Sequence, residues 1–193
     1  MNSNEDTLPF NREPPPDPIL ILVDPYDRQI GELGSLLVHR YAMLHRAFSV
    51  FIFRERGGVL ELLLQQRSLS KNLGAGLWTN TCCSHPRPGE QLREAAENRL
   101  VVEMGIRADL DEVGSFHYTA SFDNGFTENE IDHVFVGTYD PLQDIAINRE
   151  EVEQSHWEEV EALKKALSTQ PKKYTPWFKR ALELALANST GSV

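Results

Sequence analysis

The run from Leu77 to Pro86, which reads L-W-T-N-T-C-C-S-H-P, constrains this chain more than any other segment. We predict a strand from Trp78 to His85, because the proline that follows ends regular pairing. Alternate residues of a strand share a face, so Cys83 and His85 point one way and Cys82 points the other way. A thiol and an imidazole are therefore expected on one surface of a sheet.

A second short string, Glu128-Asn-Glu130, follows the same parity and puts two carboxylates on one face of a strand. Together with the thiol and the imidazole, these are the parts of a metal-assisted proton-transfer site. The sequence has no glycine-rich phosphate loop and no Ser-His-Asp arrangement. The pattern therefore favours acid/base chemistry over acyl transfer.

Charge and composition exclude several classes of protein. The 193 residues carry a net charge of −10, which argues against binding to nucleic acid or to anionic membranes, so an anionic substrate needs local cations or metal ions. No apolar stretch approaches the ~20 residues of a membrane span, and the first residues do not resemble a signal peptide. The two cysteines are adjacent, which disfavours a disulfide and fits a reducing compartment. We predict a cytoplasmic protein that is a monomer or a weak dimer, with a small-molecule partner and no nucleic-acid or membrane partner.

The order of predicted elements indicates one domain of the α+β class. Residues 1–18 are polar and rich in proline, which predicts a flexible leader, and residues 188–193 are expected to form a flexible tail. Strands are predicted at 19–23, 47–53, 59–66, 78–85, 115–120 and 130–139, a helix from Leu92 to Met104, and further helices from just after Trp157 to Leu167 and from Trp177 to about Leu186. Strands around one central helix, followed by two closing helices, predict a mixed β-sheet in residues 19–187 that is packed on both faces.

Four strings in order carry a resemblance to a known family. They are L-H-R-A-F-S at 44–49, W-T-N-T-C-C-S-H-P at 78–86, E-N-E at 128–130 and Y-T-P-W-F at 174–178. The chain resembles the type I isopentenyl-diphosphate delta-isomerases, a branch of the Nudix superfamily, over residues 19–187. This resemblance implies a Nudix-like mixed β-sheet sandwiched between helices and the interconversion of isopentenyl and dimethylallyl diphosphate in isoprenoid precursor synthesis.

The hydrolytic signature of the superfamily is degraded in this chain. Nudix hydrolases usually carry arginine where Asn98 stands, and glutamates where Arg99 and Val102 stand. Those glutamates gather the metal ions that drive diphosphate cleavage, and a valine cannot bind a metal ion. The scaffold is therefore expected to be kept and hydrolysis to be lost.

The resemblance implies four catalytic residues, Cys83, Glu130, Tyr118 and Trp177. Cys83 and Glu130 would flank the substrate as an acid/base pair, with Tyr118 near Glu130 and Trp177 over a carbocation. From sequence alone a free cysteine is more often a small buried hydrophobe, and large aromatic residues usually pack in a core. Which of the two acid/base groups delivers the first proton stays open.

The resemblance also implies two metal sites. A divalent ion, Mn²⁺, Mg²⁺ or Zn²⁺, would be bound by His39, His45, His85, Glu128 and Glu130. A second Mg²⁺ on the substrate diphosphate would contact Glu103, although Glu103 also lies one helical turn after Arg99 and would suit a plain surface ion pair. The other histidines, His117, His133 and His156, match no site and are expected to be structural.

Three cations, Arg67, Lys71 and Arg99, match family positions that bind the diphosphate, with ordinary solvated charge as the alternative. Ser35 stands where some members have a further lysine. Two other classes stay open at this point: a Nudix pyrophosphohydrolase, and a sensor that keeps the fold without catalysis. A structural zinc site is disfavoured because the cysteines lack Cys-x-x-Cys spacing.

Overall fold

The computed structural model describes residues 17–189, and their strands and helices alternate along the chain. The strands are β1 Ile19–Val23, β2 Gln29–Gly34, β3 His45–Arg56, β4 Val59–Arg67, β5 Trp78–Thr79, β6 Cys82–Ser84, β7 Asp111–Ser121, β8 Thr127–Thr138 and β9 Val152–Glu159. The helices are α1 Ser35–Arg40, α2 Leu92–Met104, α3 Val160–Thr169 and α4 Phe178–Ser189, with a 3₁₀ turn at Pro171–Lys173. Residues 1–16 of the predicted leader and 190–193 of the predicted tail lie outside the described residues.

Strand β3 lies at the centre of a nine-stranded mixed sheet in the described part of the chain. It runs parallel to β8, with His45 opposite Glu130, and antiparallel to β4 and β6. The β3–β4 hairpin turns through Gly57 and Gly58, which both have positive φ, as a tight two-residue hairpin requires. Strand β8 continues to β7, and β4 continues to β5 and β9.

Apolar side chains of β3 alternate between two cores. One core packs α2 against the sheet around Phe48, Val50 and Leu100. The other packs α3 and α4 against the opposite face around Phe51 and Phe178. The predicted α+β fold, a mixed sheet between helices, is therefore confirmed, and the helix at 92–104 ends at Gly105 as predicted.

The prediction of one continuous strand from Trp78 to His85 is wrong. The segment forms two short strands, β5 and β6, separated by Asn80 and Thr81. Buried side chains replace the missing ladder bonds there: Asn80 donates to the carbonyl of Val50 at 3.2 Å, and Thr81 donates to that of Leu63 at 2.6 Å. The predicted orientation of the two cysteines is nevertheless correct, because Cys82 and Cys83 point to opposite sides of β6.

Three short elements differ from the sequence prediction. Strand β9 occupies residues 152–159 and pairs with β4, so α3 begins at Val160, three residues after Trp157. Strand β2 and helix α1 were not predicted. Strand β2 is largely exposed and contains two glycines, and the six residues of α1 are too few to display a helical period. None of the described helices is long and apolar enough to cross a membrane. Cytoplasmic location and oligomeric state stay predictions.

Candidate metal and proton-transfer site

Five of the predicted metal ligands meet at one end of β3. Their ligand atoms all lie within 4.8 Å of one another, and they come from α1, β3, the segment after β6, and β8. The cluster is His39, His45, His85, Glu128 and Glu130. Four of these side chains are buried and His85 is half-buried. The parallel β3–β8 register creates the arrangement by placing His45 beside Glu130.

Imidazole and carboxylate atoms in the cluster point at one another. His85 Nε2 lies 2.8 Å from Glu130 Oε1, and His45 Nε2 lies 3.3 Å from the same oxygen. His39 Nε2 lies 3.1 Å from Glu128 Oε2, yet both of those buried atoms lack a hydrogen-bond partner. Orphaned nitrogen and oxygen atoms that converge on one point suit a shared cation.

The outer nitrogens of two histidines fix the ring orientation. His39 Nδ1 lies 2.7 Å from the carbonyl of Ser35, and His45 Nδ1 lies 2.8 Å from that of Met43. A proton on Nδ1 donates to the carbonyl and leaves the Nε2 lone pair for a metal ion, as metal-binding histidines usually do. The residues present therefore fit a divalent ion.

Burial sets the charge states in the cluster. It lowers the pKa of His85 to about 4, so that this imidazole is neutral at pH 7. Burial, and then the charge of Glu130, raises the pKa of Glu128 to about 7. Glu130 is also buried, but its contacts with the His45 and His85 imidazoles hold its pKa well below the usual value. Glu130 is therefore the carboxylate that stays ionised.

A small chamber of about 40 Å³ lies beside the cluster. All four predicted catalytic residues contribute to its wall: Cys83, Glu130, Tyr118 and Trp177. Tyr118 donates a hydrogen bond to Glu130 Oε2, and its ring centroid lies 5.9 Å from that of Trp177. Trp177 is anchored by its indole N–H, which lies 3.3 Å from Asn80 Oδ1. The chamber thus combines a thiol, a carboxylate and an aromatic wall.

The two adjacent cysteines have different surroundings. Cys82 is fully buried in the apolar core beneath α2. Cys83 faces the chamber, and Arg67 Nη1 donates to its sulfur at 3.2 Å. Burial raises the pKa of Cys83 to about 12, although the Arg67 guanidinium opposes this shift. The free protein therefore presents a protonated thiol and an ionised Glu130 in one chamber.

Arg67 connects the chamber to an outer cleft of about 240 Å³. Its guanidinium lies 5.5 Å from the centre of the Trp177 ring and donates through Nε and Nη2 to the carbonyl of Leu73. Lys71 also lines the outer cleft, together with His39, His85 and Glu128. A small inner chamber and a wider outer cleft thus share one wall.

The predicted cations Lys71 and Arg99 already have acidic partners. Both contact Glu151 Oε2, and Arg99 Nε donates to Glu103 Oε1 at 2.7 Å. Glu103 is only 2% exposed and also accepts from Gln65 at 2.7 Å. The simple Arg99–Glu103 pair therefore exists in the structure, and contact of Glu103 with a second metal ion stays a prediction.

The remaining histidines lie away from the cluster, as expected. His117 contacts Asn129, and His156 packs edge-on against Trp78. His133 lies between the carboxylates of Asp27 and Glu112. Each therefore has a local structural partner.

Sequence reasoning missed a buried pair next to the chamber. Ser49 lines the chamber and donates to Asp132 Oδ2 at 2.8 Å, while Asp132 Oδ1 is buried without a partner. Strand parity puts Asp132 on the face that carries Glu128 and Glu130, so the signal was present in the sequence.

Comparison with known proteins first defines the class. A model of the NUDIX domain matches residues 43–178. The crystal structure of a Deinococcus radiodurans protein superposes with a TM-score of 0.67 at 17% identity, covering 88% of this chain and 99% of the other. A MutT protein from Methanosarcina mazei gives a TM-score of 0.59 at 21% identity, covering 77% of this chain and 96% of the other. These matches establish the Nudix fold.

Closer relatives define the branch. The chain is 45% identical over 166 residues to isopentenyl-diphosphate Delta-isomerase 2 of Photorhabdus laumondii, covering 86% of this chain and 91% of the relative. It is 45% identical over 162 residues to the isopentenyl-diphosphate Delta-isomerase of Serratia proteamaculans, covering 84% and 88%. The chain therefore belongs to the type I isopentenyl-diphosphate delta-isomerases of the Nudix superfamily, and the predicted resemblance is confirmed.

Proposed function

We propose that the protein interconverts isopentenyl diphosphate and dimethylallyl diphosphate. The observation that carries the proposal is the placement of Cys83 and Glu130 in the wall of one chamber. The names of the close relatives support the same reaction. Arg99 and Val102 stand where Nudix hydrolases usually carry metal-binding glutamates, which disfavours diphosphate cleavage.

The reaction moves a double bond and needs two proton transfers. One acid adds a proton to carbon 4 of isopentenyl diphosphate, which leaves a tertiary cation at carbon 3, and one base removes a proton from carbon 2. The protonated thiol of Cys83 and the ionised Glu130 form a complementary acid/base pair for these steps. Because the reaction is reversible, each group acts as acid in one direction and as base in the other.

The carbocation needs stabilisation and protection from water. Trp177 already presents its indole face to a cation in the free protein, since Arg67 lies 5.5 Å from the ring centre. An aromatic face stabilises a desolvated cation by ~2 kcal/mol or more. Tyr118 hydrogen-bonds to Glu130 and keeps one carboxylate oxygen directed into the chamber.

Two groups of residues would position the substrate. The cluster of three histidines with Glu128 and Glu130 would bind one divalent ion, Mn²⁺, Mg²⁺ or Zn²⁺, whose charge would keep Glu130 ionised and oriented. Arg67 and Lys71, which line the outer cleft, would bind the diphosphate together with Arg99, and Glu103 would contact a second Mg²⁺. The hydrocarbon end would then enter the inner chamber.

Product analysis tests the proposal directly. The purified protein with isopentenyl diphosphate and Mg²⁺ should form dimethylallyl diphosphate without release of phosphate. Release of inorganic phosphate without isomerised product would instead assign a pyrophosphohydrolase. Lack of dimethylallyl diphosphate with Mn²⁺, Mg²⁺ and Zn²⁺ would contradict the proposed isomerase activity.

A further inference from the structure

Glu151 lies between two of the proposed diphosphate-binding cations, Lys71 and Arg99. Lys71 Nζ and Arg99 Nη2 both contact the same atom, Glu151 Oε2, the latter at 2.6 Å. About three-quarters of each of these three side chains is shielded from water. Such shared, partly buried contacts are more rigid than a solvent-exposed ion pair.

The backbone holds Glu151 in place independently of its side chain. Its carbonyl accepts a hydrogen bond of 3.0 Å from the backbone N–H of Ser68, just after β4. Its own N–H donates to the carbonyl of Asn148 at 3.0 Å, and Asn148 in turn donates to the carbonyl of Glu103 at 2.9 Å. The backbone of Glu151 is thus fixed between the loop that carries Lys71 and the helix that carries Arg99.

Lys71 depends on this carboxylate more than Arg99 does. Among the described residues, Glu151 is the one acid within salt-bridge distance of Lys71, whereas Arg99 also binds Glu103. Without the carboxylate, two like charges on long side chains would repel each other and move apart. An ammonium group bound at one of its three donors still has donors free for a phosphate oxygen.

We propose that Glu151 is a positioning residue for the substrate diphosphate. It holds the Lys71 ammonium at the wall of the outer cleft and brings the Arg99 guanidinium next to it. This inference rests on the proposed function, because it assigns Lys71 and Arg99 to the diphosphate. Glu151 itself does not touch the substrate.

Binding of inorganic pyrophosphate with Mg²⁺, measured by calorimetry, tests this role without turnover. Glu151→Gln should weaken binding about tenfold, which corresponds to about 1.4 kcal/mol for a lost charge-assisted contact. The neighbouring Glu150→Gln is the matched control, because Glu150 is exposed and forms no ion pair among the described residues. Unchanged or tighter pyrophosphate binding by Glu151→Gln would overturn the proposal.

Two further measurements separate positioning from general structural support. In a Lys71→Met background, Glu151→Gln should weaken binding much less than it does alone, because it acts through Lys71. In turnover, KM for isopentenyl diphosphate should rise about tenfold while kcat changes less than about twofold, since these contacts hold the non-reacting end. Additive effects, or a loss of kcat at constant KM, would overturn the role.

Folding and function are controlled separately. If Glu151→Gln does not fold, Glu151→Asp replaces it, and the same weakening is expected because the shorter side chain cannot reach both cations. A wild-type protein that binds pyrophosphate but forms no dimethylallyl diphosphate contradicts the proposed function. A wild-type enzyme that turns over normally beside an unaffected Glu151→Gln contradicts only the role of Glu151.

Discussion

At the scale of the residue, the two adjacent cysteines provide an internal comparison. Cys83 faces the chamber and contacts Arg67, whereas Cys82 is fully buried in the opposite core. We expect Cys83→Ser to lower kcat by at least ~10²–10⁴-fold, the range typical of a lost acid/base group. Cys82→Ala should keep most of the activity and lose some stability, because it removes buried volume.

Measurement of kcat, metal content and the thermal unfolding midpoint for both variants checks this expectation. Both should contain as much metal as the wild type. Equal loss of activity in the two variants, or full activity of Cys83→Ser, would remove Cys83 from the mechanism.

The carboxylate of Glu103 has two alternative roles, as a structural hydrogen-bond partner or as a ligand of a Mg²⁺ ion. It is buried and accepts hydrogen bonds from Arg99 and Gln65. If it also contacts a Mg²⁺ on the diphosphate, Glu103→Gln should raise the Mg²⁺ concentration needed for half-maximal activity, while the metal at the histidine cluster stays bound. Glu97→Gln is the matched control, because Glu97 forms a similar i,i+4 pair with Arg93 on the exposed side of the same helix.

A titration of activity with Mg²⁺ decides between the two readings. Equal Mg²⁺ dependence in Glu103→Gln and the wild type, with an unchanged KM, would leave Glu103 as a structural partner of Arg99 and Gln65.

Among the helices, one with a long apolar period and a clear end was predictable from the sequence, and a short one was not. Helix α2 was predicted with its correct ends, because its apolar period is long and Gly105 ends it. Helix α1 was not predicted, since its six residues show no full period. His39 was therefore predicted as a metal ligand only from the family resemblance. In the structure, helix α1 brings His39 to the cluster.

The break between β5 and β6 shows a second limit. Whether Asn80 and Thr81 continue a strand depends on buried partners, the carbonyls of Val50 and Leu63, which are distant in sequence. For the same reason the Glu151 contacts with Lys71 and Arg99 could not be inferred from spacing. The face of a strand on which a side chain lies depends on the local sequence and was predictable. Contacts between segments that are distant in sequence were not predictable.

Gly105 offers a stability test for the end of α2. It has φ of 71°, and a Cβ there would lie 2.7 Å from the carbonyl oxygen of Ala146. Gly105→Ala should lower the free energy of unfolding by about 2–4 kcal/mol, which combines left-handed strain of ~1–2 kcal/mol with overlap. Gly58 has a similar φ, but nothing lies within 4 Å of an added Cβ. Gly58→Ala should therefore lower the free energy of unfolding only by the backbone strain.

Urea denaturation of the two variants gives the comparison. A Gly105→Ala variant no less stable than Gly58→Ala would mean that the segment around Ala146 moves away at little cost.

At the scale of the whole molecule, the metal cluster ties distant segments together. Its ligands come from α1, β3, the segment after β6, and β8, so they are adjacent only in the folded state. A metal ion at 100 times its dissociation constant should therefore stabilise the wild type by about 2.7 kcal/mol. Chelation should remove this stabilisation, and His39→Ala should lack most of it.

His117→Ala is the control, because His117 lies outside the cluster and hydrogen-bonds to Asn129. Metal analysis and urea denaturation, with and without chelator, distinguish the variants. Full metal occupancy in His39→Ala would show that His39 is not a ligand.

Deuterium labelling follows the proposed proton transfers directly. The wild type, incubated in D₂O with isopentenyl diphosphate and Mg²⁺, should yield dimethylallyl diphosphate that carries deuterium in the methyl group derived from carbon 4, as seen by NMR. Cys83→Ser with its metal bound should yield neither the product nor the label at a comparable rate. Product that forms without deuterium, or equal labelling by Cys83→Ser, would contradict proton transfer by Cys83 and Glu130.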